Sequence, residues 1–447
     1  MKPIDLIGFK FIVSDLVNNE QRQIAYQLLD YAFKNARELY QYDAIGELAL
    51  KTEYRDLYFE CAKRAYAVAL TTQEKHAARN NLINAYNAMN YPEKALELIA
   101  LQLIVSPDDF STLCMKAANT SLMGNKEESE KMVLDLMEKF PEKAKDLDTM
   151  LCGKYLRKGH LVRGVSTFLD SDKPASRLFE KELKMKRWDG IARPGKIVYV
   201  NGEGGIGDEI INIRFFKNIK RLGMRPVLYS PNTEYYKDKN DLFKRHGIEV
   251  LSEPYSVDKS QYWYRLMCLP VALGLSESDL WEESYLTPLR SEQNKIVSDK
   301  FKIGIKCSGN PYFAQDEYRK IPLETMLQYL PENAEIYYID KQAANHTGVI
   351  DLSDRINSWE DTLDFIDQMD CIVSSCTSLV HAAGAIGKTT FVAVPIAEYY
   401  IWTTSYTGTR SPWYGDNFHV MRQTQLRDWT HPLQEIQQKV NQLINTK

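Results

Sequence analysis

Strong charge of either sign is missing from this chain, as are long apolar runs and paired cysteines. Its 447 residues carry a formal net charge of −4. That excludes a general nucleic-acid coat, because such proteins have a large basic excess, although a local basic face is compatible with it. No segment reaches the roughly 20 apolar residues needed to span a bilayer. The opening MKPIDLIGFKFIVSDLVNNEQRQ has neither the apolar stretch nor the small-residue cleavage site of a signal peptide. Cys61, Cys114, Cys152, Cys268, Cys307, Cys371 and Cys376 are odd in number, scattered and never arranged as C-x-x-C. They read as reduced thiols, neither a disulfide framework nor a zinc site, and the expected location is cytoplasmic. No group of His, Cys, Asp or Glu has metal-ligand spacing, so no metal is expected. With 44% hydrophobic and 26% charged residues the chain reads as a soluble globular protein, and its length predicts two or three domains.

Strand signals are scarce from about Glu20 to Leu183, where apolar residues recur at a spacing of three to four and predict helices. In ARNNLINAYNAMNYPEKALELIALQLIVSPDD, the residues Leu82, Tyr86, Ala95, Ile99 and Pro107 fall where a 34-residue tetratricopeptide (TPR) unit places its packing residues and terminal proline. Pro141 follows Pro107 by 34 residues and Pro174 follows Pro141 by 33. The pattern predicts a TPR-like array over 1–185 whose units bury their apolar faces against their neighbours. An irregular helical domain is the alternative.

After Trp188 short apolar runs alternate with helical stretches: KIVYV, RPVLY, IEVL, KIGIKC, EIYYID, CIVSS and TTFVAV. This is the rhythm of parallel sheets covered by helices. The proline- and charge-rich segment Leu286 to Lys302 divides this half, so two Rossmann-like lobes are expected, over 186–298 and 299–447. The predicted fold class is thus α + α/β.

Gly202, Gly204 and Gly207 in KIVYVNGEGGIGDEIINIRFF spell the nominal dinucleotide-binding signature. The next strand, RPVLYSPNT, lacks the acid that a nicotinamide enzyme uses for the ribose, and there is no acid between Glu209 and Glu234. Asp208 and Glu209 would also compete with a phosphate for the positive end of the helix. The glycines can instead bring a carboxylate close to a substrate. Asp208 reads either as a general base at the lip of a cleft or as a helix cap with Glu209 as its dipole partner.

In DCIVSSCTSLVHAAGAIGKTTFVAVP a strand ends in a hydroxyl-rich turn that opens a small-residue helix. Ser375, Thr377 and Ser378 are placed to cap that helix while its N–H groups face a diphosphate, and His381 lies one turn in. The loop KCSGNPYFAQDEYRKIPLE offers Lys306, Arg319 and Lys320 as cations for the same anion, or else it is a solvated surface loop. Ile396 to Phe418 is rich in Trp, Tyr and Gly, and reads either as a loop covering a ligand or as a satellite apolar cluster.

RWDG, GIGDEI, SGNP with Asp316, Arg319 and IPL, SCTSLVHAAGAIGK and SPWYGDNFHVMRQ occur in that order. Together they resemble the bacterial TPR-containing glycosyltransferases, whose catalytic half is similar to heptosyltransferases of glycosyltransferase family 9 and more distantly to O-GlcNAc transferases. The resemblance runs from about Trp188 to Trp429. It implies a GT-B fold and metal-independent, inverting transfer from a nucleotide-sugar co-substrate, with no cofactor besides. It also implies that Asp208 is the base and Arg319 aids departure of the nucleotide. Gly205, Gly207, Lys306, Asn310, Lys320, Ser375, Cys376, Thr377, Ser378, His381 and Trp402 would then serve the donor. Cys376 stands where the family usually has an Asp that contacts the sugar, so donor identity and turnover hang on that position. A TPR/GT-B protein that binds without turnover is the alternative.

Between Gly153 and Lys196 there are 12 Lys and Arg against five Asp and Glu. This basic stretch either guides an anionic acceptor, together with the helical array, or is a solvated face. The acceptor is open among protein side chains, a glycan or lipid, and a hydroxyl-bearing modified nucleic-acid base.

Overall fold

The computed structural model describes residues 6–18, 21–167, 169, 176–231, 233–310, 313, 315–397, 399–403 and 409–446. The chain divides into two compact units, Met1–Pro141 and Glu142–Lys447.

The first unit is helical. Its eight described helices run from Leu6–Asn18 to Lys126–Lys139, and each packs mainly on its sequence neighbours. Two helices of 14 residues begin at Pro92 and Lys126, 34 residues apart. The left-handed residues Asn90 and Gly124, which turn the chain into them, keep the same interval. Proline at the first position starts one of these helices without losing a hydrogen bond. The preceding helix Thr72–Ala88 opens with a capping box between Thr71 and Glu74. Leu82, Ala95 and Ile99 are buried, Tyr86 is half-buried, and Pro107 is exposed in the turn after Pro92–Val105. Pro174 lies outside the described residues.

The sequence places the end of the array at 185, whereas the compact unit ends at Pro141. The helices Ala144–Asp148, Cys152–Arg157 and Leu161–Ser166 are short, and apolar residues of the last two join the sheet-bearing core. Leu156, Leu161 and Val165 are buried in one cluster with Trp188, Val198 and Phe215.

The second unit holds two sheets whose described strands are all parallel. The first comprises β1 (Lys186–Arg187), β2 (Ile197–Asn201), β3 (Arg225–Tyr229), β4 (Glu249–Leu251) and β5 (Tyr262–Arg265), in the order β1-β5-β2-β3-β4. The second comprises β6 (Phe301–Lys306), β7 (Ala334–Tyr338), β8 (Ile350–Asp351), β9 (Cys371–Ser375), β10 (Thr390–Val394) and β11 (Phe418–Arg422), in the order β11-β10-β9-β6-β7-β8. The seven expected runs all form strands. β5 is an addition: its sequence YWYR has no aliphatic residue, yet aromatic side chains suit a pleated surface, and Trp263 and Tyr264 are buried. β11 begins at Phe418, the last residue of the segment that the sequence marks as loop.

In each sheet the winding reverses at the first long strand. β2 lies between β5 and β3, and β6 lies between β9 and β7. Such reversals leave a crevice at the carboxyl ends of the strands, the usual ligand position in open α/β sheets. The loops after β2, β6 and β9 all leave from those ends.

A buried arginine ties the lobes together. Arg214 donates from Nε to the Ile211 carbonyl at 2.7 Å, from Nη1 to the Leu280 carbonyl at 2.9 Å and to the Trp413 carbonyl, and from Nη2 to the Tyr285 hydroxyl at 2.9 Å. Tyr285, Tyr414 and Trp281 surround the guanidinium, with ring centroids 4.7, 5.1 and 5.5 Å away. Removing the side chain would take a donor from three carbonyls and a hydroxyl away from water. Arg214→Leu is therefore expected to destabilise this unit by about 3 kcal/mol, since each unsatisfied buried group costs roughly 1–3 kcal/mol. All seven tryptophans lie at or beyond Trp188, so a urea titration followed by tryptophan fluorescence reads this unit directly. An unmoved midpoint would deny the guanidinium its role.

Candidate active site

The loop after β2 turns through Gly204, at φ +78°, into the helix Ile206–Asn212. That turn gives Asp208 a capping position: the Gly205 N–H donates to Asp208 Oδ2 at 2.7 Å. The other oxygen, Oδ1, accepts from the Tyr399 hydroxyl at 2.6 Å. Asp208 is thus a cap through one oxygen and faces the second lobe through the other.

Three acids sit on this turn, and buried cations neutralise two of them. Glu203 is paired with Arg265 at 2.9 Å and also accepts from the Met267 N–H at 3.2 Å. Glu209 is paired with Lys239, whose ammonium also donates to the Ser230 hydroxyl at 2.8 Å. Burial raises the Glu209 carboxyl and Lys239 opposes it; burial lowers the Lys239 ammonium and Glu209 opposes that. Asp208 makes no ion pair among the described residues and meets neutral donors instead. Burial lifts its pKa to about 6, against the pull of the Tyr399 hydroxyl and the Gly205 N–H; Glu203 adds to the rise, and Arg319 opposes it. The group is ionised at neutral pH yet basic enough to take a proton.

From the second lobe, the turn after β9 leads into the helix Ser378–Ala385. Gly207 lets the two helices meet. A methyl group there would stand 2.6 Å from His381 Cδ2 and 3.3 Å from Ser378 Cα. His381 is buried, its ring stacks on Trp402 at 5.3 Å, and its Nδ1 lies 2.6 Å from the Tyr414 hydroxyl. Burial drives its pKa down to about 3, helped by Arg214 and Arg319, so the imidazole is neutral. The Tyr414 ring packs against the Arg214 guanidinium, with its centroid 5.1 Å away.

Arg319 comes from the loop after β6. Its Nε donates to Asp316 Oδ1 at 2.7 Å and its Nη1 to the Cys376 carbonyl at 2.9 Å. The guanidinium is thus fixed beside the start of helix 378–385. Cys376 serves through its carbonyl, while burial pushes its thiol up to about 11, so the sulfur stays protonated.

The structure accordingly brings Gly205, Gly207, Asp208, Arg319, Cys376, Thr377, Ser378, His381 and Trp402 together. The expected hydroxyl caps do not form. Thr377 is the N-cap residue of helix 378–385 but makes no side-chain cap bond, and its hydroxyl lies 3.3 Å from the Ser374 hydroxyl. The Ser375 hydroxyl is buried in β9 without a partner among the described residues. Chain geometry explains this, since Ser375 still belongs to the strand, and the amides at the start of the helix are left uncapped by side chains. Lys306 is paired with Asp340, and Lys320 is exposed and 3.8 Å from Glu317, so neither cation joins the cluster. Asn310 is exposed and its carbonyl accepts from the Phe313 N–H at 3.0 Å. Trp402 is buried in a stack with His381 and Phe418 and supports the histidine. Residues 311, 312, 314, 398 and 404–408, which belong to the expected loops, lie outside the described residues. In the basic stretch, Arg163 is paired with Asp148, Arg187 with Glu180 and Arg193 with Asp189.

Sequence reasoning does not reveal Arg214, Tyr399 or Tyr414. The last two lie in the aromatic segment singled out above, but nothing in their spacing marks them. Among the described residues no group of three or more His, Cys, Asp or Glu side chains is arranged to hold a metal, and no helix is long and apolar enough to cross a membrane.

No protein-family model matches the chain, and no curated protein does. Several solved structures are similar to it at low identity. The iron-containing dodecameric glycosyltransferase TibC from enterotoxigenic E. coli H10407 is 11% identical, with a TM-score of 0.37, over 59% of this chain and 76% of that one. The E. coli ADP-heptose LPS heptosyltransferase II is 12% identical, with a TM-score of 0.37, over 56% of this chain and 98% of that one. A mutant of the Thermobaculum terrenum O-GlcNAc transferase is 12% identical, with a TM-score of 0.39, over 100% of this chain and 94% of that one.

The imidazole offers a direct check on this geometry. His381 should stay neutral from pH 8 down to about pH 5, because burial holds its pKa down at about 3. Nitrogen-15 chemical shifts of the histidines, assigned with His381→Gln, report the charge. A titration of His381 between pH 5 and 8 would contradict its burial between Trp402 and Tyr414.

Proposed function

We propose that this chain is a glycosyltransferase of GT-B architecture, moving a sugar from a nucleotide-sugar donor to an acceptor hydroxyl by one inverting, metal-independent displacement. The observation that carries the reading is the meeting of two unlike groups from the two sheets. Asp208 is a carboxylate without a cationic partner among the described residues. Opposite it stand Arg319, the uncapped start of helix 378–385 and a neutral His381.

A nucleoside diphosphate suits the second side. Free N–H groups at a helix start and a fixed guanidinium both stabilise negative charge as it develops on a leaving oxygen. A hydroxyl suits the first side. Asp208 accepts its proton while the hydroxyl oxygen bonds to the anomeric carbon. The bond from that carbon to the diphosphate oxygen breaks on the opposite face, and its electron pair leaves with the nucleotide. Amides and Arg319 take the part that a divalent cation plays at other phosphate sites. The helical unit is read as TPR-like on the 34-residue interval of its turns and helices. With the basic stretch of 153–196 it would dock the acceptor.

Asp208→Asn is expected to lower transfer by about 10²–10⁴-fold, the usual worth of general-base help, while donor affinity stays within a few-fold. Donor affinity is read by thermal shift with candidate nucleotide sugars, and transfer or slow donor hydrolysis by nucleotide release. A variant that keeps more than about a tenth of the wild-type rate leaves Asp208 only a cap. The wild-type rate should also fall as the pH drops through about 6, because protonation removes the base. A flat profile between pH 5 and 8 would contradict this. Arg319→Ala should slow nucleotide departure, since a lost charged contact costs about 1.5–3 kcal/mol, or about 10–150-fold in rate. An unchanged rate would remove Arg319 from the reaction.

A further inference from the structure

Asp208 lies on the first lobe, but the group that fixes its outward oxygen comes from the second. Tyr399 donates to Asp208 Oδ1 at 2.6 Å. It directly precedes the short helix Tyr400–Thr403, which carries Trp402, the ring stacked on His381. One five-residue segment therefore touches both sides of the site. Its anchors are firm: Tyr400 and Trp402 are buried, Asn212 donates to the Tyr400 hydroxyl at 3.2 Å, and Arg422 donates to the Trp402 carbonyl.

We propose that Tyr399 is a positioning residue for Asp208, its hydroxyl orienting the carboxylate and holding it in the ionised form when the two lobes are together. This rests on the reading of Asp208 as the base for the acceptor hydroxyl.

The physical case has two parts. A neutral donor bonded to a carboxylate favours the charged form, because the protonated form loses that bond's ionic strength. The bond also selects one rotamer. With Gly205 N–H on Oδ2 and Tyr399 on Oδ1, the carboxylate plane is fixed from both ends. Other groups facing Asp208 do not duplicate this. Glu203 is tied to Arg265 and Glu209 to Lys239. Arg319 is held by Asp316 and the Cys376 carbonyl. His381 bonds to Tyr414 and the Tyr400 hydroxyl accepts from Asn212. Tyr399 alone among these donates to the carboxylate, and it belongs to the opposite lobe.

The test is Tyr399→Phe in the full chain. Two readouts are taken: the rate against pH, and the Asp208 carboxyl titration by carbon-13 NMR, assigned with Asp208→Asn. In Tyr399→Phe the carboxyl titration and the acid limb should both move up by about one pH unit. The rate should then be about fivefold lower at pH 6 and within about twofold of wild type at pH 8.5. A merely structural tyrosine would lower the rate by the same factor at every pH and leave the carboxyl titration unmoved, and that result overturns the proposal. If the carboxyl titration moves while the acid limb does not, Tyr399 does tune Asp208, and it is the assignment of Asp208 as the base that falls.

Discussion

A desolvated guanidinium at the seam between the two sheets is the constraint on which the site depends. Arg214 cannot shed its charge, so it must be met by carbonyls and ring faces wherever it is buried. The carbonyls come from Leu280 and Trp413, far apart in sequence and brought to one point. The rings come from Trp281, Tyr285 and Tyr414. Satisfying this one cation places the Tyr414 ring, and the Tyr414 hydroxyl in turn holds Nδ1 of His381 at 2.6 Å. Trp402 and Phe418 complete the stack beneath it. The neutral histidine is thus the end of a chain that begins with a charge placed elsewhere.

The acidic turn follows the opposite logic. Here the fold neutralises Glu203 with Arg265 and Glu209 with Lys239, and gives the third acid only neutral partners. Two carboxylates beside Asp208 would otherwise raise its pKa by repulsion and disorder the loop. With both paired, burial is the largest influence on Asp208, and Glu203 adds a smaller rise. The division of labour is visible only in three dimensions, since all three acids look alike in the sequence.

Much of the architecture is legible in the amino-acid pattern alone. Parallel sheets announce themselves because each buried strand is a short apolar run bounded by turn residues, as in CIVSS and TTFVAV. β5 does not, because YWYR resembles an aromatic loop as closely as a strand. Asp208, Arg319 and His381 stand out because each sits beside a strand end with a recognisable turn. Lys306 and Lys320 share the charge of Arg319, yet Asp340 and Glu317 engage them. Arg214 and Tyr399 are invisible for another reason: what each does depends on a partner more than sixty residues away, and local pattern carries no trace of it. The hydroxyls of the β9 turn mislead because Ser and Thr before a helix usually cap it, whereas here Thr377 faces Ser374 and Ser375 remains within its strand.

The contact at Gly207 bears on how such a chain can change over generations. A side chain at 207 would intrude on His381 and on the backbone of Ser378, which belong to the other lobe. A mutation at either place is thus judged by what stands at the other. The two halves of the sheet-bearing unit are bound to a common history at this point even if their outer surfaces drift apart. Lobes exchanged between related proteins would have to be exchanged as matched partners, with the glycine and the histidine inherited together.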